Sequence, residues 1–412
     1  MAAGRNLFRI PLAAASVLLA AVFPAVCATA PEANEAGTAL FHAGRIAEAA
    51  AKFEEALALD PDSPVIRGNL AASLAALAQG DLRTGGLDEA RDRLERAAEL
   101  APAEASVQLL LASLHFRRGD LYEAHRRVER ALEIAPGSAE ARELSGDLYY
   151  QEGSLERARR DWEEALPAAG RRAHAVRAKL DRLDREEPAE AGFGRDISRH
   201  FTVQFDGPVP PAVARTALRL LEEAYNRLWR EFGRAPQHDI PVLLYSRELF
   251  TEVTRSPGWV AGTYDGKIRV PVGGLAGATD AEQLGPILAH ELTHAFIRAN
   301  VPGALPLWFQ EGLAGHFQGV TAEEALHVLR GGGSGFSRLE EVSAALRGGP
   351  AVGAAYAAAA LAVAEMVRMD GFWLPRRTLE RVAAGETFPA AFHAAAGIEL
   401  AEFEERWSRL QR

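Results

Sequence analysis

The 412-residue chain has a single cysteine, Cys27, and it sits among the first thirty residues. A disulfide framework is therefore excluded. Stability has to come from packed cores, which a chain with 48% apolar residues can build. No block of basic residues is present and the formal net charge is −10, which excludes nucleic acid as an expected partner. The apolar run Leu12 to Val22 is short for a bilayer span and lies between Pro11 and Pro24. Arg5 and Arg9 precede it, and Ala25, Ala28 and Ala30 follow. Residues 1–28 therefore read as a signal peptide cleaved after Ala28. The expected location is outside the cytoplasm, in a bacterial periplasm or cell envelope. Secretion and a lipid anchor are alternatives, and membrane contact is expected only if Cys27 is lipidated. Ala25-Val26 before it is a poor lipoprotein signal.

From Ala33 to Ala169 small residues recur in register. The sets are Gly44, Ala49, Phe53, Ala56, Pro61; Gly85, Ala90, Leu94, Ala97, Pro102; Gly119, Ala124, Val128, Ala131, Pro136; and Gly153, Ala158, Trp162, Ala165. Gly85, Gly119 and Gly153 are 34 residues apart, whereas Gly44 and Gly85 are 41 apart. The extra seven residues fall around Ala76 to Arg83, as a longer helix or a loop. This period resembles tetratricopeptide repeats. The resemblance implies an α-solenoid over 33–186, with about four repeats and a capping helix from Arg171 to Glu187. Stacked helix pairs make one core and a concave groove, so a protein partner is expected there. The alternative is an array that only positions the next domain. Residues 187–197 read as a linker.

The second motif is His290-Glu291-Leu292-Thr293-His294. On a helix the two histidines lie one turn apart on one face and can reach one zinc ion, with Glu291 able to reach a zinc-bound water. A hydrolytic zinc site needs a third protein ligand and an open position. Glu311, in Leu305-Pro306-Leu307-Trp308-Phe309-Gln310-Glu311-Gly312-Leu313-Ala314, is the best candidate. Thr279 and Asp280 can cap the helix, with Gln283 completing a capping box, unless Pro286 is its true first-turn residue. Pro302 and Gly303 stop it, and a second helix runs from Leu307 to about Phe317. Gly312 and Gly315 would remove side chains where these two helices approach.

Residues 198–412 resemble the peptidase MA-like family of gluzincin metallopeptidases. The matching pieces are His200 to Asp206 (HFTVQFD), Gly262 to Val272 (GTYDGKIRVPV), HELTH and LPLWFQEGLA. The resemblance implies an α+β zincin-like domain, with His290, His294 and Glu311 as zinc ligands, Glu291 as general base and a peptide or protein substrate. It also implies a tyrosine donor for the oxyanion at Tyr356. His316 is the other candidate donor, and a core tyrosine is the alternative for Tyr356. The family's helix continues with polar residues, whereas Ala357 to Ala360 follow here, so no substrate contact by that helix is implied. An edge strand beside the metal helix commonly holds substrate in such peptidases. The hairpin Trp259–Tyr264 with Lys267–Val272, around Asp265-Gly266, is the candidate, an ordinary sheet hairpin being the alternative.

The remaining pattern predicts strands at Phe201–Phe205 and Ile240–Tyr245, and an amphipathic helix from Val213 to Phe232 that counts Trp229 on its apolar face. A helix follows from Ala354 to Met369. Two short helices, with Phe403 and Trp407 on the apolar face of the last, lie in Phe388–Gln411. Arg330 to Gly335 reads as a loop, a cover for the cleft or a plain connector. Together the motifs and the resemblance imply an exported zinc peptidase carrying a binding array. The alternatives are a protein-binding scaffold with an inactive second domain, or a zinc hydrolase acting on a non-peptide bond.

Overall fold

In each repeat the small residues let two helices approach. Ala49, Ala56, Ala90, Ala97, Ala124, Ala131, Ala158 and Ala165 are buried, and Phe53, Leu94, Val128 and Trp162 fill the space between them. The computed structural model describes residues 29–411, apart from 85, 237, 257–259, 274–281, 302–304 and 333–334. The expected signal peptide with Cys27, the repeat glycine Gly85, Trp259, the expected caps Thr279 and Asp280, and the expected stop residues Pro302 and Gly303 lie outside the described residues. So do Gly333 and Ser334.

Four helix pairs form the array: α1 (Ala30–His42) with α2 (Ile46–Leu59), α3 (Pro64–Thr84) with α4 (Leu87–Leu100), α5 (Ala105–Arg117) with α6 (Leu121–Ile134), and α7 (Ala139–Gln151) with α8 (Leu155–Ala165). Gly44, Gly119 and Gly153 turn the chain within their pairs at φ of 76°, 74° and 80°, a region other residues avoid. The extra residues of the second repeat lengthen α3 to 21 residues. The closing helix α9 (Ala173–Glu190) buries Val176 and Leu183. It passes through Pro188, so the stretch expected as a linker is helical up to Glu190. The chain then joins the sheet at once as β1 (Gly194–Ile197).

Among the described residues the second half holds a five-stranded sheet, ordered β1, β2 (Phe201–Phe205), β3 (Ile240–Tyr245), β5 (Ile268–Pro271), β4 (Thr263–Tyr264). The pairs β2–β3 and β3–β5 are parallel, and β1–β2 and β4–β5 are antiparallel. Alternation decides the two faces. Phe201, Val203, Val242, Leu244, Ile268 and Val270 enter the main core. That core is shared with α10 (Pro211–Phe232) and α12 (Leu284–Asn300). Trp229 on α10 is 54% exposed, outside the apolar face assigned from its spacing. The hairpin is shorter than its apolar run: Tyr264 pairs with Ile268 across the three-residue loop Asp265-Gly266-Lys267. On the other sheet face, Leu243 and Tyr245 pack on α11 (Arg247–Thr254) through Phe250 and Val253. Lys267 and Arg269 point to that face too and are 2% and 1% exposed.

The array covers those two cations. Arg269 donates to Glu186 at 3.0 Å, to Asp265 at 2.7 Å and to the Tyr150 hydroxyl oxygen at 2.7 Å. Tyr150 in turn donates to Glu186 at 2.6 Å, and Arg182 pairs with both Glu186 and Asp265. Against the pull of burial, Arg269 and Arg182 hold Asp265 at a pKa of about 2. The Lys267 ammonium lies 4.2 Å above the Tyr150 ring. Burial first, and the Arg269 charge next, lower its pKa to about 8. His238, one of the histidines with no expected role, ties the sheet domain to Gln151 at 3.0 Å and to the Gly119 carbonyl at 3.3 Å.

The carboxy-terminal helices are α13 (Leu307–Gln318), α14 (Ala322–Gly332), α15 (Leu339–Ala345), α16 (Val352–Asp370), α17 (Trp373–Ala383), α18 (Phe388–Ala396) and α19 (Leu400–Leu410). Helix α14 runs through Gly332, so the glycine-rich stretch from Arg330 is helical at its start. By length and composition α16 could cross a bilayer, but it is packed against α13, α14, α15 and α17. Phe403 and Trp407 of α19 are fully buried, and the Trp407 indole donates to the Ala358 carbonyl at 3.2 Å.

Candidate metal centre

Two buried aromatics anchor the helices that carry the HExxH motif and Glu311. Phe296 of α12 and Phe309 of α13 are fully buried, a burial worth about 1.5–3 kcal/mol each. Helix α12 starts at Leu284 with Gln283 as its N-cap and no side-chain cap there; the capping box expected from Thr279 and Asp280 falls outside the described residues. Pro286 sits in its first turn, where the missing N–H costs no helical bond. Leu288, Leu292, Ala295 and Phe296 face the core, which leaves His290 and His294 on the other side. Thr293, fully buried, donates to the Ala289 carbonyl at 2.7 Å and is satisfied within the helix.

Gly312 and Gly315 face α16 rather than α12. A Cβ on Gly312 would stand 2.4 Å from the Ala359 carbonyl oxygen, and one on Gly315 would stand 3.2 Å from the Ala360 Cβ. The close approach they permit is therefore to the helix that carries Tyr356.

His290, His294 and Glu311 converge, each offering one atom within 4.8 Å of the others. Glu311 Oε2 is 3.4 Å from His290 Nε2 and 3.7 Å from His294 Nε2. Tetrahedral bonds of about 2.0–2.1 Å would put ligand atoms about 3.4 Å apart. The nitrogen–nitrogen–oxygen set thus fits a metal ion of that size. Gln318, two turns after Glu311, fixes the first ring: its Oε1 is 2.8 Å from His290 Nδ1. The proton then sits on Nδ1 and Nε2 keeps its lone pair for a metal. Sequence reasoning did not single out Gln318, although its seven-residue step from Glu311 was visible. Burial keeps His294 neutral, with a pKa of about 4. The His290 pKa is raised: burial opposes the charged form, but the Glu311 hydrogen bond and the two nearby carboxylates outweigh it.

Glu291 is 6% exposed. Burial, and to a lesser degree the Glu311 charge, raise its pKa to about 7. It lies against the segment that leads into β4, where a Cβ on Gly262 would come within 2.8 Å of Glu291 Oε1. Tyr356 stands across the centre, its ring 6.4 Å from that of His290. Burial and then the Glu311 and Glu291 charges push its pKa up to about 12, so its hydroxyl stays a donor at neutral pH. His316 points away from the centre and stacks on Phe372 at 5.7 Å. His200 is likewise occupied, bonded to Glu222 at 2.8 Å and stacked on Tyr225.

Two arms of one cleft meet here. A polar arm of about 500 Å³ runs past Thr263, Tyr264, Asp265, Arg298 and Gln310. An apolar arm of about 900 Å³ is lined by Val260, Ile287, Val320, Val328 and Ala357. Both include His290, Glu291, Glu311 and Tyr356.

Comparison with known proteins bears on the first half. The description "Tetratricopeptide repeat" matches residues 30–63 and "Tetratricopeptide repeat-like domain" matches residues 66–185. The amino-terminal part of this chain is a tetratricopeptide repeat array. A TPR repeat-containing thioredoxin of Arabidopsis thaliana is 36% identical over 84 residues, which is 20% of this chain. The chain spans only 11% of that relative's length. A thermophilic TPR protein of Thermus thermophilus is 20% identical over 37% of this chain and 98% of its own, with a TM-score of 0.24. A tetratricopeptide repeat protein of Parabacteroides merdae is 16% identical over 76% of this chain and 98% of its own, with a TM-score of 0.32. Tetratricopeptide repeats generally mediate protein–protein interaction, and the array is consistent with a protein partner.

Proposed function

We propose that the chain is an exported zinc-dependent peptidase of the gluzincin type whose repeat array binds or positions a protein. The observation that supports it most is the convergence of His290, His294 and Glu311 beside the buried carboxylate of Glu291 in one cleft. Bound zinc would supply a Lewis acid that lowers the pKa of water toward about 7. His290, His294 and Glu311 would hold it, with Gln318 orienting His290. Glu291 would accept the proton of the attacking water and return it to the leaving amine. Tyr356 would donate a hydrogen bond to the oxyanion developing on the attacked carbonyl. The edge strand β4 would take an extended substrate backbone by strand addition.

Zinc per chain, measured after purification without chelators, is expected to be near one in the parent. Retention should be lost in Glu311→Ala and weakened about 10–100-fold in affinity in Gln318→Ala, as for other residues that orient a ligand. A parent that binds no added zinc would sink the peptidase reading. Tyr356→Phe is expected to keep its zinc and lower kcat by about tenfold or more, with KM little changed, in steady-state peptidase kinetics. Equal kcat in the two proteins would remove Tyr356 from the chemistry. Expressed in a bacterial host, the mature protein should begin at Thr29. Intact-mass measurement checks this, and an uncut leader would count against export.

The repeats themselves favour a second reading, a protein-binding scaffold in which the sheet domain is inactive. It predicts partner capture without hydrolysis and no effect of changing Glu291.

A further inference from the structure

Every residue that lines the cleft belongs to the second half of the chain, yet two of them are held from the array. Asp265 and Arg298 line its polar arm, and each touches the array directly or through one residue. The Arg298 guanidinium lies 5.6 Å above the Phe116 ring of α5. Asp265 shares Arg269 with Tyr150 of α7 and Glu186 of α9. Arg269 and Glu186 are each 1% exposed, so neither charge has water as a substitute partner. Taking Arg269 away strips a partner from both Glu186 and Asp265 and leaves them to Arg182, and taking Glu186 away leaves Arg269 to Asp265; either loss, made inside the protein, costs more than losing a surface pair. Meanwhile the hairpin they hold is slight. Strand β4 has two residues, pairs with β5 alone among the described strands and forms the edge of the sheet.

We propose that the repeat array sets the position of the β4–β5 hairpin that walls the cleft, with Arg269 as the positioning residue at the joint. The chain of contact is short: Tyr150 and Glu186 fix Arg269, Arg269 fixes Asp265, and Asp265 closes the loop that follows β4. None of these residues is a candidate metal ligand. The array therefore acts on the wall against which substrate lies, and not on the metal. In this way the binding module is also a structural part of the substrate site, and that part of the inference rests on the peptidase reading above.

Amide hydrogen exchange on the full mature chain tests the joint, using Tyr150→Phe and Arg269→Met. Tyr150→Phe keeps the ring and every charge, so it folds even if Arg269→Met does not. Exchange over 262–271 is expected to rise at least about fivefold in Tyr150→Phe, which loses hydrogen bonds to the charged Arg269 and Glu186, and more in Arg269→Met. Exchange in α12 and zinc per chain should stay as in the parent. Cleavage of an unfolded protein substrate by Tyr150→Phe should show KM raised by about the same factor with kcat nearly unchanged. Unchanged exchange at the hairpin overturns the proposal. An equal rise in α12 does so as well, since it would mean general loosening. A loosened hairpin with unaltered KM overturns the link to substrate. If the parent cleaves nothing, the peptidase reading fails, and the exchange comparison still decides whether the array holds the hairpin.

Discussion

Glu291→Gln is expected to reduce hydrolysis of an unfolded protein substrate by at least about a hundredfold while leaving zinc per chain unchanged. The amide has nearly the shape of the carboxylate, and Glu291 is not one of the three converging ligand groups. What it lacks is the ability to take a proton, and positioned general bases contribute about 10²–10⁴-fold. The side chain is buried against Gly262 and lines both arms of the cleft, where it can reach a water beside the metal ligands. Fluorescent casein and metal analysis on the same preparations make the comparison. Activity within a few-fold of the parent would show that Glu291 is not the base, and would favour the scaffold reading.

The second large effect is expected at Gly312. Gly312→Ala would place a methyl group 2.4 Å from the Ala359 carbonyl oxygen and 2.6 Å from Val363 Cγ2. The first obstacle is backbone inside a helix, which cannot swing aside as a side-chain end can. Overpacking of this kind costs about 1–3 kcal/mol, and Gly312→Val more. Because Glu311 is the adjacent residue on α13, separation of α13 from α16 should also weaken zinc retention. Gly353→Ala is the control. Its Cβ would meet nothing within 4 Å, and alanine favours helix over glycine by about 1 kcal/mol. Thermal unfolding should therefore move down in Gly312→Ala and stay level or rise in Gly353→Ala. Equal midpoints for the two would mean that the α13–α16 crossing is looser than its geometry.

The repeats and the convergence of His290, His294 and Glu311 are legible because each depends on local period. A 34-residue recurrence of small side chains forces stacked helix pairs, and a four-residue step puts two imidazoles on one helix face. What escaped depends on chain far away. Lys267 and Arg269 alternate with Ile268 and Val270, and from the sequence they look like the wet side of an edge hairpin. Their burial is decided by Tyr150 and Glu186, more than eighty residues earlier. Residues 187–197 carry proline, glycine and charge, the usual marks of a linker. Pairing with Phe205 and its neighbours makes part of them a strand instead. Gly312 and Gly315 mark a close approach in the sequence, yet the neighbour is α16 and not α12, because composition says that a helix must come near and not which one. The glutamine that orients His290 carries no charge signal at all.

Helix α16 has a consequence for biosynthesis. If the protein is exported, this segment must pass through a translocation channel unfolded, where long apolar stretches tend to partition sideways into lipid. Its mean hydropathy of 1.4 puts it near that risk. Alanine at eight of its nineteen positions keeps it apolar without the strong lipid affinity of leucine or isoleucine, and Glu365 adds a charge that a bilayer resists by a few kcal/mol. The same alanines leave room for α13 to come within backbone contact at Ala359. Exchanging them for larger aliphatic residues would overfill that crossing and would also turn a core helix into a stop-transfer sequence.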